Sequence, residues 1–176
     1  MKILKFGGTS VANSKSLSRV LKIIQNQRGP IAIVVSALGG VTDLLMEMLS
    51  LAESGDNNYK DNLTVIEKLH LETIKNCIPI QHQSAIISFL KKHLNELESR
   101  LDAIHLLKEA TPKNNSTITS YGEILSSNII QEIFTFNKIN SELKDSRELI
   151  KTYSHNGRDI VDHEVTVNLI QSYFKK

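Results

Sequence analysis

The sequence predicts an α/β fold built on a mainly parallel sheet. Two short apolar segments, residues 2–6 (KILKF) and 31–36 (IAIVVS), each run into a glycine pair, Gly7-Gly8 and Gly39-Gly40. A helical pattern separates them, with Leu17, Val20, Leu21 and Ile24 on one face until Gly29-Pro30 stops it. The second segment is continuously apolar and β-branched, the pattern of a strand buried on both faces of a parallel sheet. The first part of the chain therefore reads strand, glycine loop, helix, strand, glycine loop, helix, the last helix covering residues 41–51.

The middle of the chain is helical. Residues 59–76 and 82–108 read as two helices separated by Pro79, the second carrying Leu90, Leu94, Leu97, Leu101 and Ile104 as one stripe and ended by Pro112. An antiparallel hairpin packed on the main body accounts for them. Their polar faces mix both signs without a basic excess, which disfavours a membrane-surface helix. Residues 117–136 predict a further helix with Leu125, Ile129, Ile133 and Phe136 on one side. A short strand over 139–143, a polar loop over 144–162 and a last helix over 162–174, capped within Asp162-His163-Glu164, complete the expectation. No repeat or low-complexity stretch interrupts the order.

Composition narrows the function classes. A chain of 176 residues makes about one domain. Lys and Arg number 21 against 19 Asp and Glu, a net charge of +2 that is too small to hold nucleic acid by bulk electrostatics. Aromatics are 5% and Trp is absent, which argues against base-stacking platforms. The single cysteine, Cys77, excludes a disulfide framework and a zinc site built on cysteine pairs, and reads as a small buried apolar residue. No apolar run approaches the ~18 residues of a membrane span, and the apolar N-terminal stretch is too short for a signal peptide. A cytoplasmic protein is expected. The six histidines, at 70, 82, 93, 105, 155 and 163, show no metal-ligand spacing, and Arg147 and Arg158 read as solvated loop charges.

Three segments could carry chemistry. In Lys5-Phe6-Gly7-Gly8-Thr9-Ser10, two glycines at a strand end let backbone N–H groups approach an anion, while Lys5 adds charge and Thr9 and Ser10 add hydroxyls. A nucleotide phosphate suits this set. So does an ordinary βα turn whose Ser or Thr caps the helix. The lysine precedes the glycines, so the segment is not a Walker A loop. The second segment, Val34 to Asp43, repeats the design with Ser36, Gly39, Gly40 and Thr42. Ligands collect beyond the carboxyl ends of strands in open α/β sheets, so the two loops would face one crevice, unless Thr42 and Asp43 only cap the helix. The third is Ser120-Tyr121-Gly122-Glu123. Glu123 near a helix start is either a dipole or capping-box partner or an acceptor for a substrate ammonium group.

Taken in order, KFGGTSVAN, VVSALGGVTDLL and YGEILSS resemble the catalytic domain of an aspartokinase, of the amino-acid-kinase fold. The stretch from His105 to Glu123 and the helices before it resemble most the aspartokinase half of bifunctional aspartokinase–homoserine dehydrogenases. The resemblance spans essentially the whole chain, although the middle helices match only in length and pattern. It implies a three-layer α/β/α domain with a helical insertion at about 57–110. It implies phosphorylation of L-aspartate by ATP with magnesium, giving 4-phospho-L-aspartate, the first step toward lysine, threonine, methionine and isoleucine. Residue by residue, Lys5 matches the lysine that neutralises the transferring phosphoryl group, and Gly7 and Gly8, with Thr9 and Ser10 adjacent, match the phosphate loop. Ser36 and Thr42 match hydroxyls of the aspartate site, and Glu123 matches the carboxylate that receives the substrate's amino group. The resemblance further implies a homo-oligomer in the full-length enzyme. It also implies that the second glycine-rich loop, the adenine and magnesium region, the regulatory domains and any dehydrogenase half lie outside these residues. The chain is thus expected to be an N-terminal piece that is inactive alone. Another amino-acid kinase, of the acetylglutamate or carbamate kinase type, and a non-catalytic small-molecule module remain the alternatives.

Overall fold

Strand β1 (Lys2–Phe6) and strand β2 (Ile31–Val35) pair in parallel, with Lys2 opposite Ile31 and Phe6 opposite Val35. The computed structural model describes residues 1–155 and 158–175, and the chain divides into two units, Met1–Ser141 and Glu142–Lys176. In the first unit the ladder continues past both strand ends, where the Lys2 amide donates to the Pro30 carbonyl at 3.2 Å and the Ser36 amide to the Phe6 carbonyl at 3.1 Å. Helix α1 (Ser14–Gln25) makes the crossover. Asn13 caps it by accepting from the Ser16 amide, and Leu17, Val20 and Ile24 are buried along it.

The sheet is less covered than its sequence predicts. Alternate residues of a strand face opposite sides. Phe6 is buried and Leu4, Ile33 and Val35 pack against the core, whereas Ile3 is 69% and Val34 50% exposed on the other face. A run of β-branched residues reports that both faces tolerate burial. It does not report which face a helix covers, so the expectation of a doubly buried β2 is corrected.

Most of the core lies among four helices. Helix α2 (Val41–Ser54) buries Val41, Leu45, Met48, Leu49 and Ala52. Helix α3 (Tyr59–Cys77) is followed by a 3₁₀ turn at Ile80–His82 and by helix α4 (Ser84–Leu107). The α4 stripe is buried as predicted, with Leu90, Leu97 and Leu101 fully enclosed. Helix α5 (Pro112–Phe136) starts five residues earlier than expected, with Pro112 in its first turn and Thr111 capping it by accepting from the Asn114 amide. Pro112 thus opens α5 and does not end α4, because a first-turn N–H has no intrahelical acceptor for proline to forfeit. Phe136, expected on the inner side, is 43% exposed as the last residue of the helix. Helices α2, α3, α4 and α5 all contact one another, so the expected hairpin is half of a four-helix layer.

Polar groups lock α3 to α4. The buried Tyr59 hydroxyl donates to Asp102 Oδ1 at 2.5 Å, and Lys60 Nζ sits 3.4 Å from the same carboxylate. Burial, then the Asp102 carboxylate, pushes the Tyr59 phenol up to about 12. The hydrogen bond from Tyr59 holds Asp102 below its ordinary value. His70 is fully buried on α3 with Nδ1 2.7 Å from the Ile66 carbonyl, while its Nε2 has no partner. Cys77 is half-buried and burial pushes its thiol up, in keeping with a packing role.

Past α5 two expectations change. Residues 139–143 form no strand, since no neighbouring strand is there to pair with them, and Gln131 instead holds Ser141 through two hydrogen bonds. The second unit carries structure where a polar loop was expected. A short helix α6 (Ser146–Leu149) is capped by Asp145, which also pairs with Arg147 at 2.6 Å, so Arg147 is not simply a solvated charge. Strands β3 (Thr152–His155) and β4 (Arg158–Val161) pair antiparallel, Thr152 opposite Val161. β3 is exposed throughout and β4 sets its apolar residues, Ile160 and Val161, next to each other, so neither shows the apolar alternation that marks a half-buried strand. Residues 156 and 157 and the Arg158 side chain lie outside the described residues. Helix α7 (His163–Phe174) starts where predicted, with Asp162 accepting from the Val165 amide at 3.0 Å.

Two outcomes are expected. Leu97→Ala leaves a cavity between α4 and its neighbours and lowers the unfolding free energy by about 3 kcal/mol, measured by urea denaturation. Burial lowers the pKa of His70 below its ordinary 6.5, so the unfolded chain binds the extra proton first as the pH falls. The contribution of His70 is complete above pH 6.5 and declines below it. The drop in stability from pH 7 to pH 5 therefore shrinks in His70→Asn, whose amide can replace the Nδ1 bond.

Candidate functional site

Three segments meet where β1 and β2 end. The first glycine loop leaves β1 and closes into a 3₁₀ turn at Gly8–Ser10, with the Ser10 amide donating to the Gly7 carbonyl at 2.8 Å. Helix α1 begins only at Ser14, so Thr9 and Ser10 are not its caps and their hydroxyls make no hydrogen bond among the described residues. The amides of Gly7, Gly8 and Thr9 likewise find no acceptor among the described residues. Gly7 has an ordinary extended backbone (φ −72°, ψ 172°), and a Cβ there would meet nothing within 4 Å. Neither backbone strain nor packing within this chain calls for a glycine at 7. An approaching ligand would.

The second loop joins β2 to α2. It packs on the first through small residues, because a Cβ on Gly39 would stand 2.8 Å from Ala12 Cβ. Gly40 is the N-cap of α2 and no side chain caps the helix. Thr42 and Asp43 therefore do not serve as hydrogen-bonding caps. Thr42 is exposed with a free hydroxyl, and Ser36 Oγ is also without a partner, among the described residues.

The third segment is the middle of α5. With α5 starting at Pro112, Glu123 lies three turns inside the helix, which removes the first-turn dipole and capping-box explanations. Glu123 Oε1 instead accepts from the Ala37 amide at 3.2 Å. Ser126 Oγ, fully buried, donates to the Ser36 carbonyl at 2.8 Å. Gly122 makes this approach possible, since a Cβ there would sit 2.7 Å from Ala37 Cβ and 3.5 Å from Leu45 Cδ1. Tyr121, next to it, is fixed from α4 by Arg100, whose Nε donates to the phenolic oxygen at 3.2 Å.

Lys5 completes the set. It is exposed on the open face of the sheet, opposite Val34, and pairs with no carboxylate among the described residues. The structure thus joins the two loops and α5 through Ser36, Ala37, Gly39, Gly122 and Glu123. No hydrogen bond or ion pair among the described residues ties Lys5, Thr9, Ser10 or Thr42 to the others. The result is an anion-favouring strand end with amides unpaired among the described residues, beside a loop that carries free hydroxyls and is held by the Glu123 carboxylate of α5. A cavity of about 220 Å³ between α4 and α5, lined by Arg100, Ile104, Asn114 and Ile118 among others, involves none of these residues. Among the described residues no three of His, Cys, Asp and Glu are grouped as a metal ion would need.

The contributions of Ser126 and Gly122 were missed by the motif reading. Both carried a signal. A glycine inside a strong helix pattern usually marks close packing, and Glu123 and Ser126 are three residues apart, hence on one helix face.

Known proteins share sequence and fold with this chain. The chain is 34% identical over 138 residues to a bifunctional aspartokinase/homoserine dehydrogenase of Buchnera aphidicola, a match covering 76% of this chain and 17% of that protein. It is 28% identical over 164 residues to the lysine-sensitive aspartokinase 3 of Escherichia coli, covering 89% of this chain and 33% of that one. The crystal structure of E. coli aspartokinase III with lysine and aspartate matches with a TM-score of 0.88 at 23% identity, over 99% of this chain and 38% of the other. The same enzyme with aspartate and ADP gives 0.87. The chain therefore has the aspartokinase-like fold and spans well under half the length of these relatives. The model of the amino acid kinase family matches residues 1–176 from end to end, and the chain belongs to that family.

Proposed function

We propose that this chain supplies the aspartate-side and phosphate-side loops of an aspartate kinase, which transfers the γ-phosphoryl group of ATP to the side-chain carboxylate of L-aspartate. The observation that carries it is the packing of the β1 loop, with amides unpaired among the described residues, against the β2 loop that Glu123 of α5 holds at the Ala37 amide. The relatives support it, as several are named aspartokinases and one solved neighbour holds aspartate and ADP.

The chemistry needs little from the protein beyond position and charge. The substrate carboxylate is already an anion and attacks the γ-phosphorus directly. A carboxylate O–P bond forms, the bridging P–O bond breaks, and ADP leaves with the bonding pair. No proton moves, so no general base is required. Negative charge gathers on the γ-phosphoryl oxygens. Lys5 and the Gly7, Gly8 and Thr9 amides are the donors suited to it, with the Thr9 and Ser10 hydroxyls beside them. Glu123 is suited to the substrate's ammonium group, and Ser36 and Thr42 to its carboxylates. The acidic side chains described here do not form a magnesium cage, so no step is assigned to the metal that ATP brings.

In this proposal residues 1–176 form the N-terminal part of the kinase domain, with residues 57–110 as its helical insertion. The remaining nucleotide site, the regulatory domains and any dehydrogenase half belong to a longer, homo-oligomeric protein. It works in the cytoplasm, where ATP and free aspartate are both at hand.

Titration calorimetry of the 176-residue chain tests the substrate class. L-Aspartate should give saturable heat and N-acetyl-L-glutamate none, and an equal response to both ends the proposal. In Glu123→Gln the aspartate affinity should fall about tenfold or more, since a charge-assisted bond to the ammonium group is lost. A normal affinity would return Glu123 to a purely structural role. In a full-length enzyme carrying this chain, Lys5→Ala should lower kcat by about 10²-fold, as expected for one preorganised charge donor. Steady-state ADP release measures it.

A further inference from the structure

The hydrogen bonds from α5 fall on one peptide group. Ser126 Oγ–H donates to the carbonyl of Ser36, and Glu123 Oε1 accepts from the amide of Ala37. Carbonyl and amide are the two ends of the Ser36–Ala37 peptide unit, which is planar and moves as one body. Holding both ends fixes the rotation of that plane about its flanking Cα atoms. It also restrains the backbone from which Ser36 projects its hydroxyl. Ser126 is fully enclosed, and its hydroxyl also lies 3.2 Å from the Glu123 carbonyl, so it has little freedom to turn away. Gly122 brings the helix close enough for both bonds to form.

We propose that Ser126 is a positioning residue and that Glu123 divides its carboxylate between two tasks. Oε1 holds the β2–α2 loop, and Oε2 is left for the ammonium group of an amino-acid substrate. This rests on the assignment of aspartate to the β2 loop, but the clamp itself does not. A carboxylate satisfied on one oxygen by a backbone amide is oriented before a ligand arrives, which removes an ordering cost from binding. Ser126 extends the same preorganisation to Ser36 without touching substrate.

The test combines amide hydrogen exchange by NMR with L-aspartate titration on the whole 176-residue chain. Ser126→Ala should speed exchange at the Ala37 amide about fivefold or more and weaken aspartate binding by a similar factor, the size of effect one hydrogen bond supports. Exchange at the Leu97 amide in α4 should stay as in the unmodified chain. Glu123→Gln keeps an acceptor oxygen for Ala37, so it should leave Ala37 exchange near normal while losing aspartate affinity. Unchanged Ala37 exchange in Ser126→Ala overturns the clamp. Equal acceleration at Ala37 and Leu97 also overturns it, since the serine would then serve only global stability. If the unmodified chain binds no aspartate, the substrate assignment fails, while the exchange pattern still decides whether Ser126 holds the loop.

Discussion

The absence of a side chain at Gly122 governs how the helical layer meets the sheet. A methyl group there would lie 2.7 Å from Ala37 Cβ, closer than real Cβ atoms come to one another. Leu45 and Val41 of α2 would stand only at ordinary contact distance, so the clash is with Ala37 alone. With hydrogen alone, α5 lies directly on the β2–α2 loop, and two polar groups, Glu123 beside the glycine and Ser126 one turn on, reach its backbone. Glycine inside a helix costs about 1 kcal/mol relative to alanine. In this helix that cost is offset by the contact between α5 and the loop, and by the two hydrogen bonds the contact permits.

The site and the core are consequently built from the same elements. The apolar side chains of α2, α4 and α5 exclude water from one side of the loops, while the open end of the sheet leaves Lys5 and three amides unpaired among the described residues. Polar backbone groups are normally paired with one another when solvent does not reach them. A strand end that keeps consecutive N–H groups free, beside an unpaired cation, is electrostatically prepared for an anion. Against the neighbouring loop stands a carboxylate oriented by the Ala37 amide.

Local pattern was a good guide wherever a residue's role depended on its own element. The α4 stripe, the caps of α7 and the two parallel strands could all be read from spacing and from the side chains that satisfy a helix's first amides. It misled where the answer lay in a partner. The Val34 face looked buried because valine tolerates burial, yet the sheet leaves that face open. The hairpin of β3 and β4 was invisible because neither TYSH nor RDIV alternates apolar with polar residues. Glu123 looked like a first-turn residue because Pro112 was taken as a terminator, whereas proline fits the opening turn of a helix equally well.

The sequence by itself determined the order of the elements, the apolar faces of the helices and three motifs that carry donors, hydroxyls and a carboxylate. Those properties depend on residue type and near-neighbour spacing, which a linear chain contains. Only the tertiary structure decided that Glu123 and Ser126 grip the two ends of one peptide group nearly ninety residues away. A hydrogen bond needs its partners within about 3 Å and correctly directed. Distances of that kind arise when a glycine lets one element settle onto another, and spacing along the chain does not encode them.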